Sequence, residues 1–147
     1  MIISKRPDVE RFLKGPDAGV RAALIYGRDR GGVRERADKL ARVVTANPDD
    51  PFDTAMLNDD ELDGGRLEGE LAAISMMGGR RLVRVRFTGE KAGPDKAAAE
   101  ALAAHAEGKL NPDAFLLIEA GALGRDSAMR KVAEKAAARA RGDDTED

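Results

Sequence analysis

Three apolar runs, residues 22–26, 82–87 and 114–120, alternate along this 147-residue chain with segments of helical periodicity, and that alternation is the strongest limit on its fold. Each run is bounded by Gly, Pro or Asp, as strands are. Strands separated by helices pair in parallel, because each crossover carries the chain back to the same end of the sheet. The expectation is therefore an α/β fold, a mostly parallel sheet with helices on both faces. Phe115-Leu-Leu-Ile-Glu has the near-continuous apolar character of a central parallel strand. A weaker fourth strand is expected over residues 52–57, opened by Pro51. In the run at 82–87, Arg84 and Arg86 alternate with Val83, Val85 and Phe87, which predicts one partly wet face.

Helical stripes fill the intervals. Val33, Ala37, Leu40, Ala41 and Val44 share a face, with Asn47-Pro48 as the stop. Leu67, Leu71 and Ile74 continue a second stripe that ends before Gly78-Gly79. Pro94 opens an alanine-rich helix closed by Gly108, and Asp126 or Ser127 caps another in which Met129, Val132, Ala133 and Ala136 share a face.

Residues 24–34, Leu-Ile-Tyr-Gly-Arg-Asp-Arg-Gly-Gly-Val-Arg, lie between the first strand and its helix, where a phosphate-binding P-loop would be. A working loop reads G-x-x-x-x-G-K-[ST], its Lys reaching the phosphates and its hydroxyl holding Mg²⁺. Gly27 and Gly32 keep the spacing, but Val33 takes the lysine position and Arg34 the hydroxyl position. The loop is degenerate: a backbone cradle at Gly31 and Gly32 could still meet a phosphate, without the charge or the metal ligand. Glu119 ends its strand as a Walker-B carboxylate does, and without those partners it reads as structural. No catalytic residue, metal or cofactor is expected.

Composition narrows the remaining classes. The length suits one domain, expected over residues 1–140, followed by an acidic tail at 141–147. The chain has no cysteine, which removes disulfides, thiolate metal sites and thiol nucleophiles together. The N-terminus lacks the apolar core of a signal peptide and no run is long enough to span a bilayer, so a cytoplasmic protein with no membrane partner is expected. The formal charge of −2 includes Asp143, Asp144, Glu146 and Asp147; without them 25 bases face 23 acids, too even a balance to argue for nucleic acid. Arg80, Arg81, Arg84 and Arg86 read as an exposed basic strand rather than a phosphate-binding patch. His105, the single histidine, has no partner for a triad or metal site and is expected on a helix surface. Asp49-Asp50 and Asp59-Asp60-Glu61 lack the ligand spacing of a calcium loop and read as solvated.

Met76 and Met77 are adjacent at the end of the Leu67 stripe. Neighbours on a helix point about 100° apart, so both cannot follow one narrow apolar seam. Two readings stand: gap-filling core residues, or a short apolar wedge suited to a pocket on a partner.

The loop with its following Val33-Arg-Glu-Arg, the segment Ile74-Ser-Met-Met-Gly-Gly-Arg-Arg-Leu-Val-Arg-Val, and Phe115-Leu-Leu-Ile-Glu-Ala-Gly-Ala-Leu occur together and in order. In this the chain resembles the N-terminal domain of the bacterial DNA polymerase III delta subunit, over residues 20–139. The resemblance implies a RecA-like, AAA+-related P-loop NTPase-type domain that has lost ATP hydrolysis. It implies a clamp-loader subunit that binds the sliding clamp and helps open it during DNA replication, as a part of the DNA-directed DNA polymerase III holoenzyme, a nucleotidyltransferase. Partners would be the clamp and the other loader subunits, with DNA met only through the complex.

The family's clamp contact is a Leu-Phe pair after a serine, with an apolar residue before it. Position by position, Ile74, Ser75, Met76 and Met77 take those places, with Met77 replacing a rigid aromatic ring. ATP hydrolysed in other subunits would move the domain, and the wedge would favour the open ring through its differential contacts. The family's later lid and collar domains are not in this sequence. Nor is the strand that follows the last helix, so the strand at 22–26 should find edge pairing, a swap or a covering loop. The alternatives from other classes are a P-loop-type nucleotide-binding enzyme and a generic interaction module.

Overall fold

A computed structural model describes residues 1–17, 19–45, 50, 53–62, 65–74, 80–89 and 91–140, the last three by backbone alone, and among these five parallel strands form one sheet. The strands are β1 (Ile2–Ile3), β2 (Ala22–Tyr26), β3 (Thr54–Asn58), β4 (Arg81–Arg86) and β5 (Ala114–Ala120). The helices are α1 (Arg6–Lys14), α2 (Arg30–Val44), α3 (Arg66–Ala72), α4 (Ala92–Ala106) and α5 (Ala128–Ala140), with a 3-10 turn at Asp59–Glu61. The order across the sheet is β1-β2-β5-β4-β3. The expected α/β architecture is present, and β5, buried along its whole length, is its centre.

The two-residue period of the strands sorts side chains to two apolar layers. Leu24, Val83, Val85, Leu116 and Ile118 pack beneath α3, α4 and α5 through Leu67, Leu71, Leu102 and Met129. On the opposite face Ile25, Leu82, Phe115 and Leu117 pack against α1 and α2 through Phe12 and Leu40. Each such side chain, fully buried, contributes about 1.5–3 kcal/mol. Val33, Ala37, Leu40, Ala41 and Val44 are all buried on α2, as their spacing predicts. Ser127 is the α5 cap, its Oγ accepting from the Arg130 N–H at 3.3 Å, while Asp95 of α4 accepts from the Ala128 and Met129 N–H groups.

Several expectations are corrected. The strand expected over 52–57 is Thr54–Asn58, Pro51 and Phe52 lying outside the described residues, as do Asn47-Pro48 and the tail at 141–147. The edge of β2 does find the expected edge pairing, through a strand that periodicity could not reveal: Ile2 and Ile3 pair in parallel with Ala22 and Ala23. His105 is not on a surface. It is fully buried between α4 and β5, where its Nε2 meets the Ala114 carbonyl at 2.7 Å. A carbonyl only accepts, so Nε2 carries the proton and the ring sits neutral, its pKa lowered chiefly by burial. An alanine-rich helix brings its backbone close to the sheet, leaving space there for an imidazole. Asp59 is also not solvated; it is buried and accepts from the Thr88 N–H at 3.2 Å and the Gly89 N–H at 3.1 Å.

Candidate functional site

A parallel sheet gathers the ends of its strands on two opposite edges, and the residues singled out by sequence divide between them. The degenerate loop lies at the carboxyl ends of β2, β4 and β5. Ile74 lies at the other end, before β4 begins.

At the carboxyl edge Asp29 caps α2, its Oδ1 accepting from the Gly32 N–H at 3.1 Å. The backbone donor that would meet a phosphate is thus taken by the protein's own carboxylate. A Cβ at position 32 would stand 2.8 Å from Asp29 Oδ2, so any larger residue there would shift the capping carboxylate. Val33, in the lysine position, is buried in the core and lies 3.7 Å from where a Cβ on Gly27 would be. Arg34, in the hydroxyl position, reaches across to β5 and donates from Nε to Glu119 Oε2 at 3.3 Å.

Glu119 is the centre of this edge. It is 3% exposed and also accepts on Oε1 from Arg84 Nε at 3.2 Å and Arg86 Nε at 2.9 Å. Arg84 in turn pairs with Asp38 of α2 at 2.7 Å. Burying a carboxylate is costly unless it is paired and hydrogen-bonded, and three charge-assisted bonds meet that requirement. The expected wet basic strand is therefore absent: Arg84 is buried and Arg86 half-buried, both turned onto Glu119. Register sets this up, because Arg86 and Glu119 are direct partners in the parallel ladder and share the α2 face. The remaining basic residues are engaged too. Arg81 pairs with Glu70, while Arg80 lies 5.2 Å over the Phe115 ring and donates to the Val20 carbonyl at 2.8 Å.

The network was legible only in part. Two arginines in one buried strand and a single acid in its neighbour signal a charge pair, but the contributions of Arg34 and Asp38 from α2 are set by tertiary packing.

At the opposite edge α3 ends at Ala72, so Ile74 does not continue the Leu67 and Leu71 stripe. The cause is Asn111, just before β5. Its N–H bonds the Leu71 carbonyl at 3.2 Å and its Nδ2 the Ala73 carbonyl at 2.9 Å, acceptors that a continuing helix would use itself. The chain leaves α3 extended at Ala73, and Ile74 emerges 79% exposed. Ser75, Met76, Met77 and Gly78-Gly79 lie outside the described residues. Among the described residues no cluster of three or more His, Asp or Glu is placed to hold a metal ion, and no helix is long and apolar enough to cross a membrane.

Comparison with solved structures finds this architecture in two other proteins. The Bacillus subtilis DNA clamp loader delta protein superposes with a TM-score of 0.63 at 21% identity, covering 87% of this chain and 39% of that one. A DNA polymerase III gamma subunit-related protein from Thermotoga maritima superposes with a TM-score of 0.51 at 16% identity, covering 88% of this chain and 42% of that one. No protein-family model matches the sequence, and no curated protein does. The chain thus shares the α/β fold of these two proteins, and spans about two fifths of their length.

Proposed function

We propose that this chain is the clamp-binding domain of a clamp-loader subunit of the delta type, acting in DNA replication by holding and helping to open the sliding clamp. The observation that carries this reading is Ile74. A large apolar side chain, 79% exposed at the end of a helix, stands at the start of the segment that resembles the family's clamp contact, on a fold like that of a clamp loader delta protein. An isolated exposed apolar residue is ordinary; one that opens an Ile-Ser-Met-Met sequence just past a helix end is suited to enter a pocket. The wedge is then Ile74, Met76 and Met77, with Ser75 between them.

The domain would act mechanically rather than as an enzyme. In the lysine position Val33 offers no cation, in the hydroxyl position Arg34 offers no metal ligand, and the Gly32 N–H is held by Asp29. Glu119, which would orient a metal or water in an active site, is bound by three arginines instead. These side chains argue against the P-loop enzyme reading. The partners that follow are the sliding clamp and the other loader subunits, with DNA contacted through the assembled complex.

A pull-down with the sliding clamp of the same organism tests the assignment. The parent chain should retain the ring, and Met76→Ala combined with Met77→Ala should lose most of it. Equal retention by the double variant would remove the wedge from the interface, and no retention by either would favour an interaction module of another kind.

A further inference from the structure

The last turn of α3 is tied to the sheet from two directions. From β4, Arg81 donates its Nε to the Glu70 carbonyl at 3.1 Å and pairs with the Glu70 carboxylate. From the turn before β5, the Asn111 N–H reaches the Leu71 carbonyl and its Nδ2 the Ala73 carbonyl. The first two carbonyls are orphan acceptors of the helix end. The third belongs to the residue that redirects the chain, Ala73, extended at φ −68° and ψ 145°.

Asn111 is itself firmly held. Its Oδ1 accepts from the Asp113 N–H at 3.0 Å and its carbonyl from the Ala114 N–H at 3.0 Å, closing a turn with Asn first and Pro112 second, the residues favoured there. That turn opens directly into β5, the fully buried central strand. The Asp113 N–H needs an acceptor and the Ala73 carbonyl a donor, so the side-chain amide has one orientation and both its ends are engaged. Its donor acts one residue before Ile74, where it sets the direction in which that side chain leaves the sheet edge.

We propose that Asn111 is a positioning residue for partner binding: its Nδ2 holds Ala73 extended and so presents Ile74 to the clamp. The role rests on the clamp-binding reading above, and Asn111 acts through Ala73 rather than by touching the clamp. A backbone fixed before binding loses no freedom on binding, so the bond contributes affinity from outside the interface. Only chains with Ala73 extended are competent, and apparent affinity falls with their fraction.

Asn111→Asp isolates the bond. The carboxylate keeps the shape and the acceptor for the Asp113 N–H, but sets an oxygen against the Ala73 carbonyl in place of the donor. Titrated against the immobilised sliding clamp, this variant should bind about fivefold to tenfold more weakly than the parent chain. Should circular dichroism show it unfolded, Asn111→Ser decides with the same expected loss, since serine also suits the head of such a turn and its side chain stops short of Ala73. Ala73→Pro gives the readout that a merely structural role would not move. Proline imposes the φ that Ala73 already has and ends a helix at the residue before it, as α3 ends at Ala72. Added to the Asn111 variant, it should bring affinity back to within about twofold of the chain carrying Ala73→Pro alone.

The Cα and carbonyl chemical shifts of Ala73 in the free chain separate this role from the reading beneath it. They should be those of extended backbone in the parent and move away from them in Asn111→Asp. A parent chain that does not bind the clamp while these shifts respond would overturn the clamp reading, and with it the function of Asn111 but not its hold on Ala73. Affinity equal to the parent's in the folded Asn111 variant, no recovery with Ala73→Pro, or shifts indifferent to the substitution would each overturn the proposal itself.

Discussion

Glu119 shows how one carboxylate organises an edge of the molecule. It joins β5 to β4 through Arg84 and Arg86 and to α2 through Arg34, and for Arg34 and Arg86 it is the paired acid among the described residues. Glu119→Gln leaves Arg84 buried with one acid instead of two and should cost about 3 kcal/mol in urea denaturation. Arg34→Met removes a pair whose arginine is 49% exposed and should cost no more than about 1 kcal/mol. A loss of similar size for both would contradict the ranking. His105 sets the pH response. Its folded pKa lies below the ordinary 6.5, so the unfolded chain takes up a proton first as pH falls. Stability should therefore be full above about pH 6.5 and decline below it, and His105→Leu should flatten that part of the profile. A parent profile that is flat between pH 7 and 5 would refute the assignment. Sequence indicated that Glu119 was structural and that His105 lacked a catalytic partner. It could not place His105 inside, because an imidazole among alanines gives no amphipathic signal and its acceptor, Ala114, comes from another element.

Among the elements, those with strong periodicity were legible and those fixed by neighbours were not. β2, β4 and β5 appear within a residue of their apolar runs, and α2 carries the expected face. β1 has two residues, too few for alternation, and exists because β2 offers an edge. Likewise α3 stops at Ala72 because Asn111, distant in sequence, takes the carbonyls that would propagate it. β1 covers the edge whose exposure invites strand addition by another molecule. Ile2→Ala, at a side chain 1% exposed, should cost about 2–4 kcal/mol and loosen this cover. Urea denaturation measures the first effect and size-exclusion chromatography the second, as concentration-dependent association. An Ile2→Ala chain as stable and as monodisperse as the parent would show that β1 is not the closing strand.

The whole molecule is a parallel sheet with unlike ends. At one, the segment after β2 is held by Asp29, Val33 and the arginines on Glu119; at the other, Ile74 stands out from the end of α3. This division supports a domain that grips a partner at one edge without using nucleotide at the other. A binding titration against the immobilised sliding clamp, with and without ATP and Mg²⁺, examines both halves of that account together. The parent chain should bind with the same affinity in both conditions, and a variant carrying Ile74→Ala, Met76→Ala and Met77→Ala should bind at least about tenfold more weakly. Affinity that rises with ATP, or that survives the triple substitution unchanged, would contradict it.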